Sequence, residues 1–135
     1  MTVPQWALLG FAVWTLLVLF GTVGVYRWSR ILTGRVRISE WQADQPQGGD
    51  WYRRAIRAHM NCVENLPVFA TIVFAAYALG RPAVADGVAP YVLYSRLAQS
   101  TVHLIGVNHW LVFVRGGLFT IQVAIFLYMI WELLG

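Results

Sequence analysis

Four long apolar segments alternate with polar connections along the 135-residue chain. The first segment, residues 3–26, carries no charge, and as a helix it would cross about 30 Å of hydrocarbon. The other segments cover about residues 58–80, 88–107 and 116–131. They are too long for strands and lack strict alternation of apolar and polar residues. The pattern predicts an all-α integral membrane protein, a bundle of four transmembrane helices in a single domain over residues 1–135.

The composition agrees with a membrane environment for most of this surface. Apolar residues make up 59% of the chain and charged residues 12%, against about a quarter charged in soluble domains. All ten basic residues are arginine, and no aromatic-and-basic motif of a nucleic-acid reader is present, so no nucleic-acid partner is expected. The first segment lacks the basic leader and the cleavage site of a signal peptide. The arginine, alanine and glycine bias indicates a bacterial protein, and hence a multi-pass protein of a bacterial inner membrane.

The placement of the arginines predicts the orientation of the helices. Seven arginines lie in the connection between the first two segments, and Arg115 precedes the fourth. The connection between the second and third segments has a single arginine, which is opposed by an aspartate. The positive-inside rule therefore places residues 27–57 and 108–115 in the cytoplasm and both termini outside. Within the first connection, residues 45–50 have the composition of a surface loop, Gln-Pro-Gln-Gly-Gly-Asp.

Polar residues inside the apolar segments are candidates for function, because a charge at the centre of a membrane helix costs about 2.5–3.5 kcal/mol. In the second segment, Arg57, Asn61 and Glu64 are spaced i, i+4 and i+7, so they share one helical face. Asn61 could equally be a hydrogen-bonding contact between helices with no ligand. Pro67 removes one backbone donor and predicts a kink just beyond Glu64.

The third segment carries a similar polar stripe, formed by Arg96, Gln99 or Ser100, and His103. Both stripes lie near the predicted cytoplasmic ends of their helices, and we expect them to face each other rather than lipid. An ion pair between Glu64 and Arg96 would make both charges tolerable. Such a pair has two interpretations, since it could belong to a binding site or simply hold the bundle together.

Other polar and aromatic residues have simpler interpretations. His59 lies off the Arg57 face, and it either packs near the interface or binds a ligand. The lone Cys62 excludes an internal disulfide framework and predicts a small packed residue, while His109 fits a loop. No spacing typical of a metal site, no phosphate-binding loop and no Ser–His–Asp triad is found, so no metal is expected. Five tryptophans are typical of membrane-interface anchors, namely Trp6, Trp28, Trp51, Trp110 and Trp131.

Residues 57–67 carry a resemblance to a known family, through the pattern Arg-Ala-His-x-Asn-x-x-Glu-x-x-Pro. This pattern resembles the second-helix signature of the MAPEG family, the membrane-associated proteins in eicosanoid and glutathione metabolism. The family includes microsomal glutathione transferases, microsomal prostaglandin E synthase, leukotriene C synthase and a noncatalytic lipoxygenase-activating protein. The resemblance extends over nearly the whole chain in length, helix number and polar stripes. It implies a homotrimer with sites between neighbouring subunits, and an acceptor substrate that enters from the membrane lipids.

The resemblance also implies roles for particular residues. Glutathione would be the co-substrate, bound by Arg57, Asn61 and Glu64, and Arg115 would be the catalytic arginine that stabilises the glutathione thiolate. Catalytic relatives often have a tyrosine on the third helix where this chain has Gln99 and His103. The full set of further candidate glutathione contacts is Arg96, Gln99, His103, His59, Arg27 and Arg30.

Three classes of function follow. The resemblance favours a membrane-bound glutathione transferase, with or without glutathione peroxidase activity, in which the thiolate attacks a lipophilic electrophile or reduces a lipid hydroperoxide. A noncatalytic lipid-binding or scaffold protein of the same fold is the alternative, because the third-helix tyrosine is missing. A small proton-coupled multidrug transporter would also have four helices and one membrane glutamate, but Glu64 lies near a helix end on an arginine-bearing face.

Overall fold

Four long helices form the fold in the computed structural model of the chain, which describes residues 1–41 and 48–135. Their bounds, in chain order, are α1 Val3–Leu32, α2 Asp50–Ala78, α3 Ala89–Ile105 and α4 His109–Leu134. A 3-10 turn, Ile38–Glu40, and a one-turn helix, Ala83–Asp86, lie in the first two connections. The described residues contain no strand, so the predicted all-α fold is confirmed. Residues 45–47 of the predicted surface loop lie outside the described residues.

Three of these helices, α1, α2 and α4, are long and apolar enough to cross a membrane. Helix α3 is shorter, with 17 residues that include Arg96 and His103. At 1.5 Å per residue, such a helix spans roughly 25 Å, less than the hydrocarbon thickness of about 30 Å. The described residues therefore support a membrane protein, in which three of the four predicted crossings are candidate membrane spans by length and composition.

The helices extend beyond the apolar segments that predicted them. Helix α2 begins at Asp50 rather than near residue 58, and α4 begins at His109 rather than near residue 116. The prediction of a loop at His109 is therefore wrong. The Asn108 side chain caps α4 by accepting a hydrogen bond of 2.9 Å from the Leu111 amide. The additional turns of α2 are polar, whereas those of α4 are apolar at residues 110–114 and are set apart only by Arg115 and the two glycines that follow it. Caps and backbone hydrogen bonds, not apolar patterning, decide where each helix starts.

A π-helical stretch, Leu19–Gly24, interrupts α1 two-thirds of the way along its length. Such a stretch adds a residue to the turn and so changes the face on which later residues lie. The Tyr26 ring beyond it stacks on the Tyr52 ring of α2, with centroids 4.4 Å apart and an interplanar angle of 16°. This contact joins the end of α1 to the start of α2.

Aromatic rings from three helices form the centre of the bundle. Phe69 of α2 lies between Phe11 of α1 and Phe126 of α4, with ring centroids 6.1 Å apart in each pair. All three side chains are buried. Cys62 is fully buried near Ser100 of α3, which confirms the prediction of a small packed residue. Helix α1 approaches α3 closely at Gly10, where an added Cβ would lie 2.9 Å from a methyl carbon of Leu93.

Helix α2 ends at a glycine with left-handed backbone geometry. Gly80 has φ of +68°, its amide donates to the Tyr77 carbonyl at 3.0 Å, and the Arg81 amide donates to the Ala76 carbonyl at 2.8 Å. This is the Schellman arrangement, which satisfies carbonyls that the end of a helix leaves unpaired. No atom outside its chain neighbours would touch a Cβ at Gly80, so only backbone geometry restricts this position.

The Gly80→Ala substitution should lower the free energy of unfolding by about 1–2 kcal/mol, because left-handed geometry is unfavourable for an L residue. Gly87→Ala is the matched control: Gly87 also has open space around it, but its φ is −78°, which alanine adopts freely. Thermal melting in detergent compares the two variants. Equal melting temperatures would show that the αL backbone at Gly80 does not matter for stability.

Candidate functional site

A cleft of about 990 Å³ opens between the first half of α2, the end of α3 and the first half of α4. Its wall combines charged, amide and apolar side chains from all three helices. The lining residues are Asp50, Arg53, Arg54, Arg57, Met60, Asn61, Glu64, Gln99, His103, Val107, Val112, Arg115, Gly116 and Phe119.

The α2 wall contains the predicted polar face. Arg57, Asn61 and Glu64 line the same cleft, as their spacing on one helical face predicted. Arg57 and Glu64 are solvent-exposed within the chain, and Asn61 is half-buried. These three residues therefore present a cation, an amide and an anion along two turns of one helix.

The α3 wall faces α2, as predicted from the two polar stripes. Gln99 and His103 line the cleft, and both side chains are buried. The Asn61 Nδ2 atom lies 3.4 Å from His103 Nδ1, which links the two stripes by a long hydrogen bond. Ser100 points instead toward Cys62, with its Oγ 3.5 Å from the Cys62 Sγ, so Gln99 rather than Ser100 continues the stripe in the cleft.

The α4 wall brings a cation next to apolar side chains. Arg115 is half-buried, Gly116 follows it without a side chain, and Val112 and Phe119 lie one turn away on either side. With Met60 of α2, these side chains make one part of the cleft apolar. A charge beside such a wall interacts more strongly with a ligand than it would in bulk water, because less water screens it.

The charge of the lining is predominantly positive. Four arginines and two carboxylates line the cleft. The arginines are Arg53, Arg54, Arg57 and Arg115, and the acids are Asp50 and Glu64. Guanidinium groups match carboxylates in bidentate hydrogen bonds, while Glu64 can accept from an ammonium group. The charged part of the cleft is therefore suited to a small zwitterionic ligand with a net negative charge. The apolar part is suited to a second, hydrophobic small molecule beside it.

Arg96 does not form the predicted ion pair with Glu64. The Arg96 side chain has no exposed surface, and its Nη2 donates to Gln122 Oε1 at 2.6 Å. Its guanidinium carbon lies 5.5 Å from the centroid of the Phe11 ring. The reason is rotational: Arg96 lies on the face of α3 toward α1 and α4, whereas Glu64 faces the cleft. Within one chain Arg96 does not line the cleft and acts as a structural partner.

Three other candidate residues also lie away from the cleft of a single chain. Arg27 donates from Nε to the Tyr52 hydroxyl at 2.6 Å and lies over the Trp41 ring. Arg30 lies over the Tyr26 ring, with its guanidinium carbon 4.8 Å from the centroid. His59 is half-buried beside α1 near Thr15, on a different face of α2 from Arg57.

Several residues of the site were missed by the sequence analysis. Arg53 and Arg54 precede Arg57 by four and three residues, a spacing that could have placed them on its face. Gln122 is fully buried and bonded to both Arg96 and Gln99. The sequence feature that could have identified Gln122 is its position as a single amide within an apolar segment, where polar side chains are costly.

Together, fold and cleft define a class: all-helical membrane proteins with an arginine-rich cleft at one end of the bundle. The chain belongs to the MAPEG family, whose family model matches residues 4–135, essentially the whole chain. MAPEG is a membrane family that includes glutathione transferases and related enzymes, together with noncatalytic members. The comparisons with curated proteins and with solved structures give no significant match.

The partner of Arg96 can be tested by stability. Gln122→Leu should lower the free energy of unfolding by at least about 2 kcal/mol, because it leaves a buried charge without its hydrogen-bond acceptor. Glu64→Gln should change it little, since Glu64 is exposed and does not pair with Arg96. Thermal melting of both variants in detergent makes the comparison. A larger loss for Glu64→Gln would reinstate Glu64 as the partner.

Proposed function

We propose that the protein is a membrane-bound glutathione transferase, which activates the glutathione thiolate for attack on lipophilic electrophiles. The observation that carries the proposal is the position of Arg115 in the same cleft as Arg57, Asn61 and Glu64, beside an apolar wall. Family membership supports the same class of chemistry, because MAPEG includes glutathione transferases.

The cleft has groups that complement each part of glutathione. Glutathione is an extended anion with two carboxylates and one ammonium group. The arginines of α2 would bind a carboxylate through paired N–H donors, and Glu64 would accept from the ammonium. Asn61 has both a donor and an acceptor and would bind the peptide backbone of the ligand.

Arg115 is the proposed catalytic residue. A free thiol has a pKa of about 8.5, so only a few per cent is ionised at neutral pH. Lowering that pKa by about two units takes roughly 2.7 kcal/mol of preferential thiolate stabilisation. A half-buried guanidinium next to Val112 and Phe119 is suited to this task, because it would act where water is partly excluded.

The reaction then needs no further protein nucleophile. The thiolate sulfur forms a bond to the electrophilic carbon of the acceptor, and the displaced electron pair leaves with a leaving group or takes a proton. With a lipid hydroperoxide, the thiolate would attack the terminal oxygen and a second glutathione would complete reduction to the alcohol, water and glutathione disulfide. In the described residues, the α3 wall of the cleft offers Gln99 and His103 in place of a tyrosine hydroxyl.

We further propose four membrane crossings, with α3 as the fourth, both termini outside and the cleft on the cytoplasmic side. The support is that Arg27, Arg30, Arg57 and Arg115 all lie within residues 27–57 and 108–115, the arginine-bearing stretches that the positive-inside rule assigns to the cytoplasm. A homotrimer in a bacterial inner membrane would cover part of the exposed apolar surface of α4, where Phe113 is 69% exposed. In that assembly Arg27 and Arg30 would contact glutathione bound in the cleft of a neighbouring subunit.

A noncatalytic lipid-binding protein is the second candidate, favoured by the absence of a tyrosine hydroxyl on the α3 wall. It would bind lipid at Val112 and Phe119 without activating a thiol. The transporter alternative is weakened by the geometry, because Glu64 lies exposed in an arginine-rich cleft and not in a deep, less basic setting.

Arg57→Ala should reduce glutathione affinity roughly tenfold, since it removes a charge-assisted hydrogen bond to the ligand. Arg35→Ala is a matched control, because Arg35 is exposed in the first connection and does not line the cleft. Calorimetric titration of glutathione into detergent-purified protein measures both. An equal loss in the two variants would mean that only overall charge matters.

Arg115→Ala should retain glutathione binding but lower the conjugation rate at neutral pH by at least roughly tenfold, because less thiolate is present. The thiol ionises unaided as the pH approaches about 8.5, so the variant should recover toward the wild-type rate at higher pH. Ultraviolet absorbance of the thiolate and turnover of an electrophilic test substrate follow the two steps. Unchanged turnover at neutral pH would reject Arg115 as the catalytic residue.

A further inference from the structure

Three buried polar side chains form a hydrogen-bonded series that runs from the middle of the bundle to the cleft. Arg96 Nη2 donates to Gln122 Oε1 at 2.6 Å, and Gln122 Nε2 donates to Gln99 Oε1 at 3.2 Å. Arg96 and Gln122 have no exposed surface, and Gln99 is 4% exposed. Gln99 is the member that lines the cleft.

Arg96 determines the direction of both hydrogen bonds in this series. A guanidinium group can only donate, so the carbonyl oxygen of Gln122 must face Arg96. The Gln122 amide nitrogen is then directed to Gln99, whose carbonyl oxygen must receive it. Reversing either amide would place two donors or two acceptors against each other.

The remaining end of the Gln99 side chain is therefore a donor. Gln99 Nε2 forms no hydrogen bond with the described residues, and they do not enclose it fully. Because Gln99 lines the cleft, this nitrogen is accessible from the cleft. Among the described residues, Arg96 Nε and Nη1 are buried without a hydrogen-bond partner, and the one hydrogen bond of the guanidinium is that from Nη2 to Gln122 Oε1. Turning the Gln122 oxygen away would leave this buried charge with no acceptor at all, which is costly where water is excluded.

We propose that Gln122 is a positioning residue that fixes Gln99 as an N–H donor to an acceptor group of bound glutathione. The inference rests on the proposed function and extends it, because it assigns a role in ligand recognition to a side chain that does not line the cleft. An acceptor on the ligand is the matching chemistry, since the cleft is rich in arginine and suited to an anion.

The Gln122→Glu substitution tests this order of donors and acceptors, because a glutamate carboxylate has nearly the shape of the glutamine amide. The introduced carboxylate can accept from Arg96 as a buried ion pair, but it cannot donate to Gln99. The Gln99 amide then turns to donate to the carboxylate, and its carbonyl oxygen faces the cleft. Glutathione affinity should fall roughly tenfold or more, measured by calorimetric titration of the detergent-purified protein.

A double-mutant cycle separates positioning from general disruption. Gln99→Met alone should weaken glutathione binding by a similar factor, and adding Gln122→Glu to it should have no further effect. If Gln122→Glu lowers affinity equally with and without Gln99→Met, its role is structural and the inference is overturned. Thermal melting checks that each variant is folded.

A second variant keeps the test decisive if Gln122→Glu does not fold. Gln99→Glu still accepts from Gln122 and leaves the pair of Arg96 and Gln122 intact, but it presents an oxygen to the cleft. Its glutathione affinity should fall below that of Gln99→Met, and an affinity equal to wild type would overturn the inference. Absence of glutathione binding by the wild-type protein would overturn the proposed function itself, whereas wild-type binding that Gln122→Glu leaves unchanged overturns the inference alone.

Discussion

The burial of the Arg96 charge is the constraint on which the arrangement of the helices depends. A guanidinium without exposed surface inside a membrane bundle must find partners, since an isolated charge there is costly. It finds the Gln122 carbonyl oxygen on α4 and the face of the Phe11 ring on α1. Rotation of α1, α3 or α4 about its axis would break one of these contacts. One buried charge therefore relates three helices to one another.

The same constraint shapes the cleft. Because Arg96 holds Gln122 and Gln122 holds Gln99, the α3 wall has a defined hydrogen-bonding character before any ligand arrives. The opposite walls come from the polar first turns of α2 and from the first two turns of α4, where Arg115 follows a run of apolar residues. In α4, Arg115 lies one helical turn from both Val112 and Phe119, so a charge adjoins apolar side chains in the cleft. A water-soluble anion and a lipid-soluble molecule can meet at such a boundary.

Aromatic packing holds the arginine-rich end of the bundle together. The Tyr26 and Tyr52 rings stack, and Trp41 meets Tyr52 edge to face at 5.4 Å. Arg27 binds the Tyr52 hydroxyl and lies over the Trp41 ring, so its charge is engaged in the packing of α1 against α2. These contacts keep the start of α2, and with it the arginines of the cleft, close to the end of α1.

The sequence by itself determined the features that depend on neighbours along one helix. The membrane class followed from apolar length, and the common face of Arg57, Asn61 and Glu64 followed from 3.6-residue periodicity. Only the tertiary structure decided that Arg96 binds Gln122 and not Glu64, because that choice depends on how α3 is rotated against α2 and α4. Periodicity defines the faces of each helix but not which helix each face meets, so partners distant in sequence had to come from packing.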